Sequence, residues 1–365
     1  MTEATAKLFK TRTSRRSILK GLGVAAIGIS LSGKKYPAWA AEEKKLNLYN
    51  WDTYIGETTL EDFKEASGID VNMSLFATND ELFAKLRAGN PGFDVIVPGS
   101  EFVERMIQAN MLEPLDHAKI PNIKNVAPEF INDAPYDPGR KYSMPYTWLV
   151  IGIGYRKSKV KSTPDSWKVL FDSDEYKGRI AVMSDASELF RNCFKYLGHS
   201  LNDKSPELLK QAEALLIKQK PNIKSFHEDN GQDLLASGEV DVVMEYNGDI
   251  AQVMAEDDDL NFVVPKEGAM KQSDTLAIPK GAPHPENALA FINFILDAKV
   301  GAEISETIKY PSPNAAAVAL MPASYKDNPV IFPPADLMAK CEYPNYLGPE
   351  YSRMLEEAMT RLRAA

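Results

Sequence analysis

The stretch Phe93-Asp94-Val95-Ile96-Val97-Pro98-Gly99-Ser100-Glu101-Phe102 decides the fold class. Its aliphatic run is short, unbroken and stopped by Pro98-Gly99, the pattern of a strand buried on both faces of a parallel sheet. A helical pattern over residues 102–111 follows directly. The same unit recurs on either side. Upstream, residues 46–49 read as a short strand, 59–66 as an amphipathic helix stopped by Gly68, and 69–76 alternate like a strand. Thr78 and Glu81 form a capping box opening a helix that carries Leu82, Phe83 and Leu86. Downstream, strands are predicted at 149–155, 180–183, 240–244 and 262–265. Helices are predicted at 188–197, at 285–296 and from Ser205-Pro206, with Ser as cap and Pro in the first turn. Strands separated by helical patterns of about 10–15 residues predict an α/β fold with a mostly parallel sheet. A chain of 365 residues suggests two domains of about 150 residues each. No internal repeat and no Pro/Gly-rich linker divides it at mid-length, so the two must be joined by more than one crossing.

Hydrophobic residues make up 44% and charged residues 25% of the chain, which excludes disordered, collagen-like and multi-span membrane classes. The charge is unevenly spread. The first 40 residues hold eight basic side chains (Lys7, Lys10, Arg12, Arg15, Arg16, Lys20, Lys34 and Lys35) and one acid, Glu3. Without them the totals of 42 basic and 51 acidic residues fall to 34 and 50, so the body carries −16. Phosphate tracking rests on clustered Lys and Arg, so no nucleic-acid partner is expected, and a cationic ligand is favoured.

The N-terminus accounts for the asymmetry. Ser14-Arg15-Arg16-Ser17-Ile18-Leu19-Lys20 is a twin-arginine run, followed by a small, apolar stretch over 21–32 and a small-x-small site at Ala38-Trp39-Ala40. That order reads as a cleaved export signal over residues 1–40, resembling the twin-arginine (Tat) type that exports folded proteins. Cys193 and Cys341 then belong to an oxidising compartment where a disulfide is permitted. Cys193 sits in an apolar helical run, where a buried free thiol is the plainer expectation.

Ligands of open α/β sheets bind beyond the carboxyl ends of strands, so the residues that follow each strand are the candidates. The first strand leads to Trp51, Asp52, Thr53 and Tyr54, and Val97 leads to Gly99, Ser100 and Glu101. Met183 leads to Asp185 and Glu188, and Met244 leads to Tyr246 and Asp249. Carboxylates accept hydrogen bonds from ammonium donors, and aromatic faces attract cations and cover methylene stems. Any one of these acids, taken alone, reads more readily as a helix cap or first-turn residue. Combined with Trp51, Tyr54 and Tyr246, they read as a site for an elongated organic cation.

At these positions the chain resembles a known family. Tyr49-Asn50-Trp51-Asp52-Thr53-Tyr54, Asp94-Val95-Ile96-Val97-Pro98, Ser143-Met144-Pro145-Tyr146-Thr147-Trp148, Asp185-Ala186-Ser187-Glu188, Asp274-Thr275-Leu276-Ala277-Ile278-Pro279 and Tyr310-Pro311-Ser312-Pro313-Asn314 are similar to segments of the spermidine/putrescine-binding proteins of ABC importers. They stand in that family's order and spacing from about residue 45 onward. The resemblance implies a two-lobed periplasmic-binding-protein (type II) fold with the ligand cleft between lobes. The N-terminal lobe would comprise 41–149 plus 273–318 and the C-terminal lobe 150–272 plus 319–365. It implies a periplasmic, monomeric polyamine binder that delivers its cargo to a membrane permease and uses no cofactor.

Carried over position by position, Trp51 and Tyr54 match the family's aromatic walls, and Asp185, Glu188 and Asp274 match its amine-holding carboxylates. Tyr246 stands where Trp is common, and Asp249 matches an acid of putrescine binders. The departures are equally specific. The hydroxyl–acid pair after Trp is reversed as Asp52-Thr53. Gly99 replaces Ser, with Ser100 next, and Glu101 stands in place of an aromatic or Ser. Gln272 replaces Trp, and Pro344 replaces Gln. A shorter diamine, a guanidino compound such as agmatine, or an amine bearing an acid group such as 4-aminobutyrate therefore stays open. Two other classes compete. A carboxylate-pair hydrolase would use Asp185 and Glu188, but that spacing is also one cap and one first-turn acid. His117, His199, His227 and His284 lack metal-like spacing, and neither a nucleophile elbow nor a P-loop occurs. A ferric-ion binder would want converging phenolates, and the chain has no adjacent Tyr pair.

Overall fold

The computed structural model describes residues 42–365 apart from 133 and 229. The twin-arginine run, the apolar stretch after it and the cleavage site lie outside the described residues. Nine strands are described: β1 (Lys45–Asn50), β2 (Asp70–Leu75), β3 (Val95–Ile96), β4 (Ser143–Arg156), β5 (Ile180–Met183), β6 (Ile223–His227), β7 (Val242–Tyr246), β8 (Leu260–Val263) and β9 (Lys271–Ala277). They run in the order β2-β1-β3-β9-β4-β7-β5-β6, with β8 also paired to β4.

The parallel pairs fall where the sequence reads as strand–helix units. β1 pairs with β2 and β3, with the helices Thr59–Ser67 and Asn79–Arg87 between them. β5 pairs with β6 and β7, with the helices Ala186–Tyr196, Pro206–Gln219 and Gly231–Ala236 interposed. The sheet is nonetheless mixed rather than mostly parallel. β9 runs antiparallel to β3 and β4, and β4 antiparallel to β7 and β8. Antiparallel neighbours need no crossover helix, so these two strands pass directly from one half of the molecule to the other. The first half of β4 pairs with β9 from Ser143 to Val150; its second half pairs with β7 and β8 from Ile151 to Arg156.

Apolar clusters flank this crossing on both sides. One gathers Tyr49, Phe76, Leu82, Ile96, Val103 and Met106 around β1 and β3. The other surrounds β5 and β7 with Phe190, Phe194, Leu216 and Ile250, and takes in Leu355 and Leu362 of the helix Pro349–Ala364. The molecule is thus two α/β lobes with a cleft between them. Local signals act as read. Gly68 ends its helix at φ 74°, as a residue without Cβ can. Ser205 Oγ accepts the Leu208 N–H at 3.2 Å. Thr78 Oγ1 accepts the Glu81 N–H at 3.1 Å, while the Glu81 carboxylate reaches back to Ala77 N at 3.0 Å. Asp94 of the opening stretch is fully buried and structural, accepting N–H bonds from Asn47 at 2.7 Å and His284 at 2.7 Å. Cys193 and Cys341 are buried free thiols. No helix of the described residues is long and apolar enough to cross a membrane.

Candidate functional site

The site assembles where strand ends of both lobes meet β9. β1 ends in a tight turn with Thr53 at φ 50°. Asp52 and Thr53 are exposed there, the Asp52 carboxylate accepting the Thr53 N–H at 2.9 Å. Trp51 donates its indole N–H to Val97 O at 2.9 Å and leans on Phe76, ring centres 4.3 Å apart. Tyr54 is buried, edge-on to Tyr146 and Tyr310 at 5.5 and 5.1 Å. Its carbonyl accepts the Tyr146 hydroxyl at 2.8 Å. A register shift between Pro145 and Thr147 brings Tyr146 there, and a bulge is where a strand tolerates proline.

The Tyr54 hydroxyl donates to Asp274 Oδ2 at 2.8 Å and meets Thr147 Oγ1 at 2.5 Å. Burial, then the Asp274 charge, push the Tyr54 phenol well above its ordinary range. Asp274 sits opposite Thr147 in β4 and bridges to Gly99. Side chains crowd closely around that position. A Cβ on Gly99 would lie 3.2 Å from Asn79 Nδ2, 3.3 Å from Gln272 Oε1 and 3.5 Å from Asp274 Oδ1. The Gln272 amide thus occupies the space beside position 99.

The second lobe supplies Asp185, Glu188 and Tyr246. Asp185 caps the helix Ala186–Tyr196, accepting the Glu188 N–H at 2.9 Å, yet stays accessible to solvent. Enclosure by the cleft walls raises its pKa, with the Asp80 charge adding to it. Glu188 Oε1 accepts the Tyr246 hydroxyl at 2.5 Å and the Gln272 amide at 2.9 Å. Desolvation, and then Asp185, push the Glu188 carboxyl up to about 8, against the pull of those two donors. Gln272 on β9 therefore lies between Gly99 of one lobe and Glu188 of the other, bonded to the latter.

Glu101 opens the helix Ser100–Gln108 of the first lobe. It faces Arg191 at 3.0 Å and Ser187 at 3.2 Å. Burial raises its carboxyl although Arg191 opposes the shift. Asp249, in the helix Asn247–Met254, hydrogen-bonds the Tyr310 hydroxyl. Ser100 is fully buried, and its Oγ has no hydrogen-bond partner among the described residues.

Of the residues read from the sequence, Tyr54, Glu101, Asp185, Glu188, Tyr246, Gln272 and Asp274 are brought together. Trp51 packs beside them through Val97, Asp249 joins through Tyr310, Asp52 and Thr53 stay exposed, and Ser100 faces inward. The reading missed Asn79, Tyr146, Thr147, Arg191 and Tyr310. Tyr146, Thr147 and Tyr310 lie inside motifs quoted above, whereas Arg191 sits in a run that reads only as an apolar helix. Asp185 and Glu188 are one cap and one first-turn acid. No group of three or more His, Cys, Asp or Glu among the described residues is placed to hold a metal. Carboxylates, phenols and an amide converging on a cleft recognise an organic cation.

Fold and site together define a two-lobed solute-binding protein. A family model described as bacterial extracellular solute-binding protein matches residues 58–333, and the chain belongs to that family, one of substrate-binding proteins rather than enzymes. It is 34% identical over 362 residues to a putrescine-binding periplasmic protein of Pseudomonas aeruginosa, covering 94% of this chain and 98% of that one. It is 34% identical over 348 residues to a spermidine/putrescine-binding periplasmic protein of Salmonella typhimurium, covering 95% and 97%. Among solved structures, a spermidine/putrescine ABC transporter substrate-binding protein from Streptococcus pneumoniae superposes with a TM-score of 0.79 at 30% identity, over 88% of this chain and 99% of that one.

Proposed function

We propose that this protein captures a polyamine of the putrescine/spermidine class in its inter-lobe cleft and delivers it to the permease of an ABC importer. One observation carries the reading: Asp185, Glu188 and Asp274 converge beside Tyr54 and Tyr246, with two of the carboxyls raised in pKa. Crowded acids in a cleft are the complement of an organic dication. The binding roles of Trp51, Asp52, Thr53, Ser100, Asp249 and Gln272 belong to the same reading, and Glu101 belongs to it as a residue of the cleft rather than as a direct grip on the amine. The names of the relatives support the ligand class and a periplasmic location. Export through the twin-arginine route and a monomeric state complete it. So does a division of the lobes at 149/150 and 272/273, which the change of partners along β4 supports.

Calorimetric titration of the mature protein with putrescine, spermidine, spermine, agmatine and 4-aminobutyrate tests the reading. Saturable binding of a diamine or polyamine is expected. Binding of 4-aminobutyrate alone would overturn the ligand class.

A further inference from the structure

The ion pair between Glu101 and Arg191 spans the two lobes. Glu101 stands at the start of the helix Ser100–Gln108, which follows β3; Arg191 lies in the helix Ala186–Tyr196, which follows β5. The Arg191 side chain is completely buried and that of Glu101 is 16% exposed. A guanidinium has five N–H donors, and here all five are engaged. Nε donates to Leu201 O at 2.8 Å. One terminal nitrogen donates to Glu101 at 3.0 Å and Ser187 Oγ at 3.1 Å, the other to Asn202 Oδ1 at 2.5 Å and Asn345 O at 3.1 Å. Four of these bonds tie Arg191 to its own lobe; the fifth crosses the cleft.

The crossing does not stand alone. Glu104, one turn along from Glu101, accepts the Tyr346 backbone N–H at 2.7 Å. Tyr346 adjoins Asn345, whose N–H is held by Asn202 at 2.9 Å and whose carbonyl is held by Arg191. One helix face of the first lobe thus engages both Arg191 and the segment at Asn345 and Tyr346 that Arg191 helps to hold.

We infer that Glu101 and Arg191 form an inter-lobe clasp that favours the closed cleft, so that Glu101 acts on the ligand through lobe position rather than by gripping an ammonium group. Arg191 has no donor left for a ligand. The Glu101 carboxylate is neutralised by a preformed cation, leaving Asp185, Glu188 and Asp274 to answer the ligand's charge. The inference deepens the amine-binding reading and rests on it for the ligand, but lobe position can be measured without one.

The test is small-angle X-ray scattering of the mature protein without amine, for the parent, Glu101→Gln and Glu101→Asp. The first variant removes the charge and the second keeps it but shortens its reach. Both leave the backbone-anchored Arg191 socket intact, and a thermal melt checks that each is folded. Larger radii of gyration than the parent's are expected in both variants, with putrescine restoring the parent's closed radius at an affinity about ten-fold weaker. Parent-like scattering from both folded variants would overturn the clasp, whatever the ligand. Failure of every amine to bind the parent, with the variants still more open, would overturn the ligand reading and leave the clasp standing.

Discussion

Glu188 holds its proton more tightly than an ordinary glutamic acid because burial and the neighbouring Asp185 both disfavour its charge, lifting it from 4.5 to about 8. Such a group stabilises the folded protein fully below about 4.5, and that contribution is lost as pH rises through about 8. His227 works in the opposite sense. Buried and lowered from 6.5 to about 4, it adds stability that is lost as pH falls through that window. Between about pH 6.5 and 8.5 Glu188 therefore dominates of these two. The amine-free protein is expected to melt lower as pH rises there, and Glu188→Gln should flatten the slope. Parent and variant melting curves with the same pH slope would rule this out. Binding an ammonium group beside Glu188 should expel the proton, so putrescine affinity should rise from pH 6 to 8, with proton release measurable by calorimetry in buffers of different ionisation enthalpy. Asp274 is the second residue-scale test. Asp274→Asn keeps an oxygen for the Tyr54 hydroxyl but removes the charge. It should weaken amine binding by about 2–5 kcal/mol with little change in melting temperature. An Asn variant that binds every amine as tightly as the parent would remove Asp274 from the site.

At the scale of elements, β4 and β9 carry the architecture, and they were unequally legible. Residues 149–155 read plainly as a strand because they are apolar on both faces. The preceding Ser143 to Trp148 read only as a family motif, since Pro145 breaks the strand pattern at its bulge. β9 escaped strand reading because Lys271, Gln272, Ser273 and Asp274 are polar, though all but Lys271 are buried. Their burial is explained by site and lobe contacts that lie far away in sequence. The site was legible for the same reason the strands were: acids and aromatics just past a short apolar run sit at its carboxyl end. Arg191 was not, because a helical periodicity cannot distinguish an arginine facing solvent from one facing a socket of carbonyls. Within β4, Gly152 is required by packing. A Cβ there would overlap the Phe262 ring and the Val263 carbonyl on β8. Gly152→Ala should therefore cost about 1–3 kcal/mol, the usual penalty for overpacking. A urea denaturation midpoint equal to the parent's would mean that β8 moves aside freely.

For the whole molecule, apolar packing gathers on either side of the crossing strands, while the segments that connect the two sides through the sheet are narrow. β4 changes partners between Val150 and Ile151, and β9 pairs with β4 only as far as Lys271. Rigid lobes joined by a few strand residues move as bodies, with the φ/ψ change absorbed at the junction. The groups that would meet a ligand divide between the bodies: Tyr54 on one, Asp185, Glu188 and Tyr246 on the other, and Gln272 and Asp274 on the strand between. A dication touching both sides contributes contact energy only in the closed arrangement, so it must shift the population toward closure. The clasp limits how large that shift can be, since a parent already biased toward closure has less distance to travel. Putrescine should therefore reduce the radius of gyration modestly in the parent and more strongly in Glu101→Gln. Trp51 fluorescence should change in step, because its indole rests on Val97 next to the Gly99 turn that Gln272 fills. Scattering curves that superpose with and without saturating putrescine in both proteins, while calorimetry reports binding, would mean that the ligand enters a cleft that does not close.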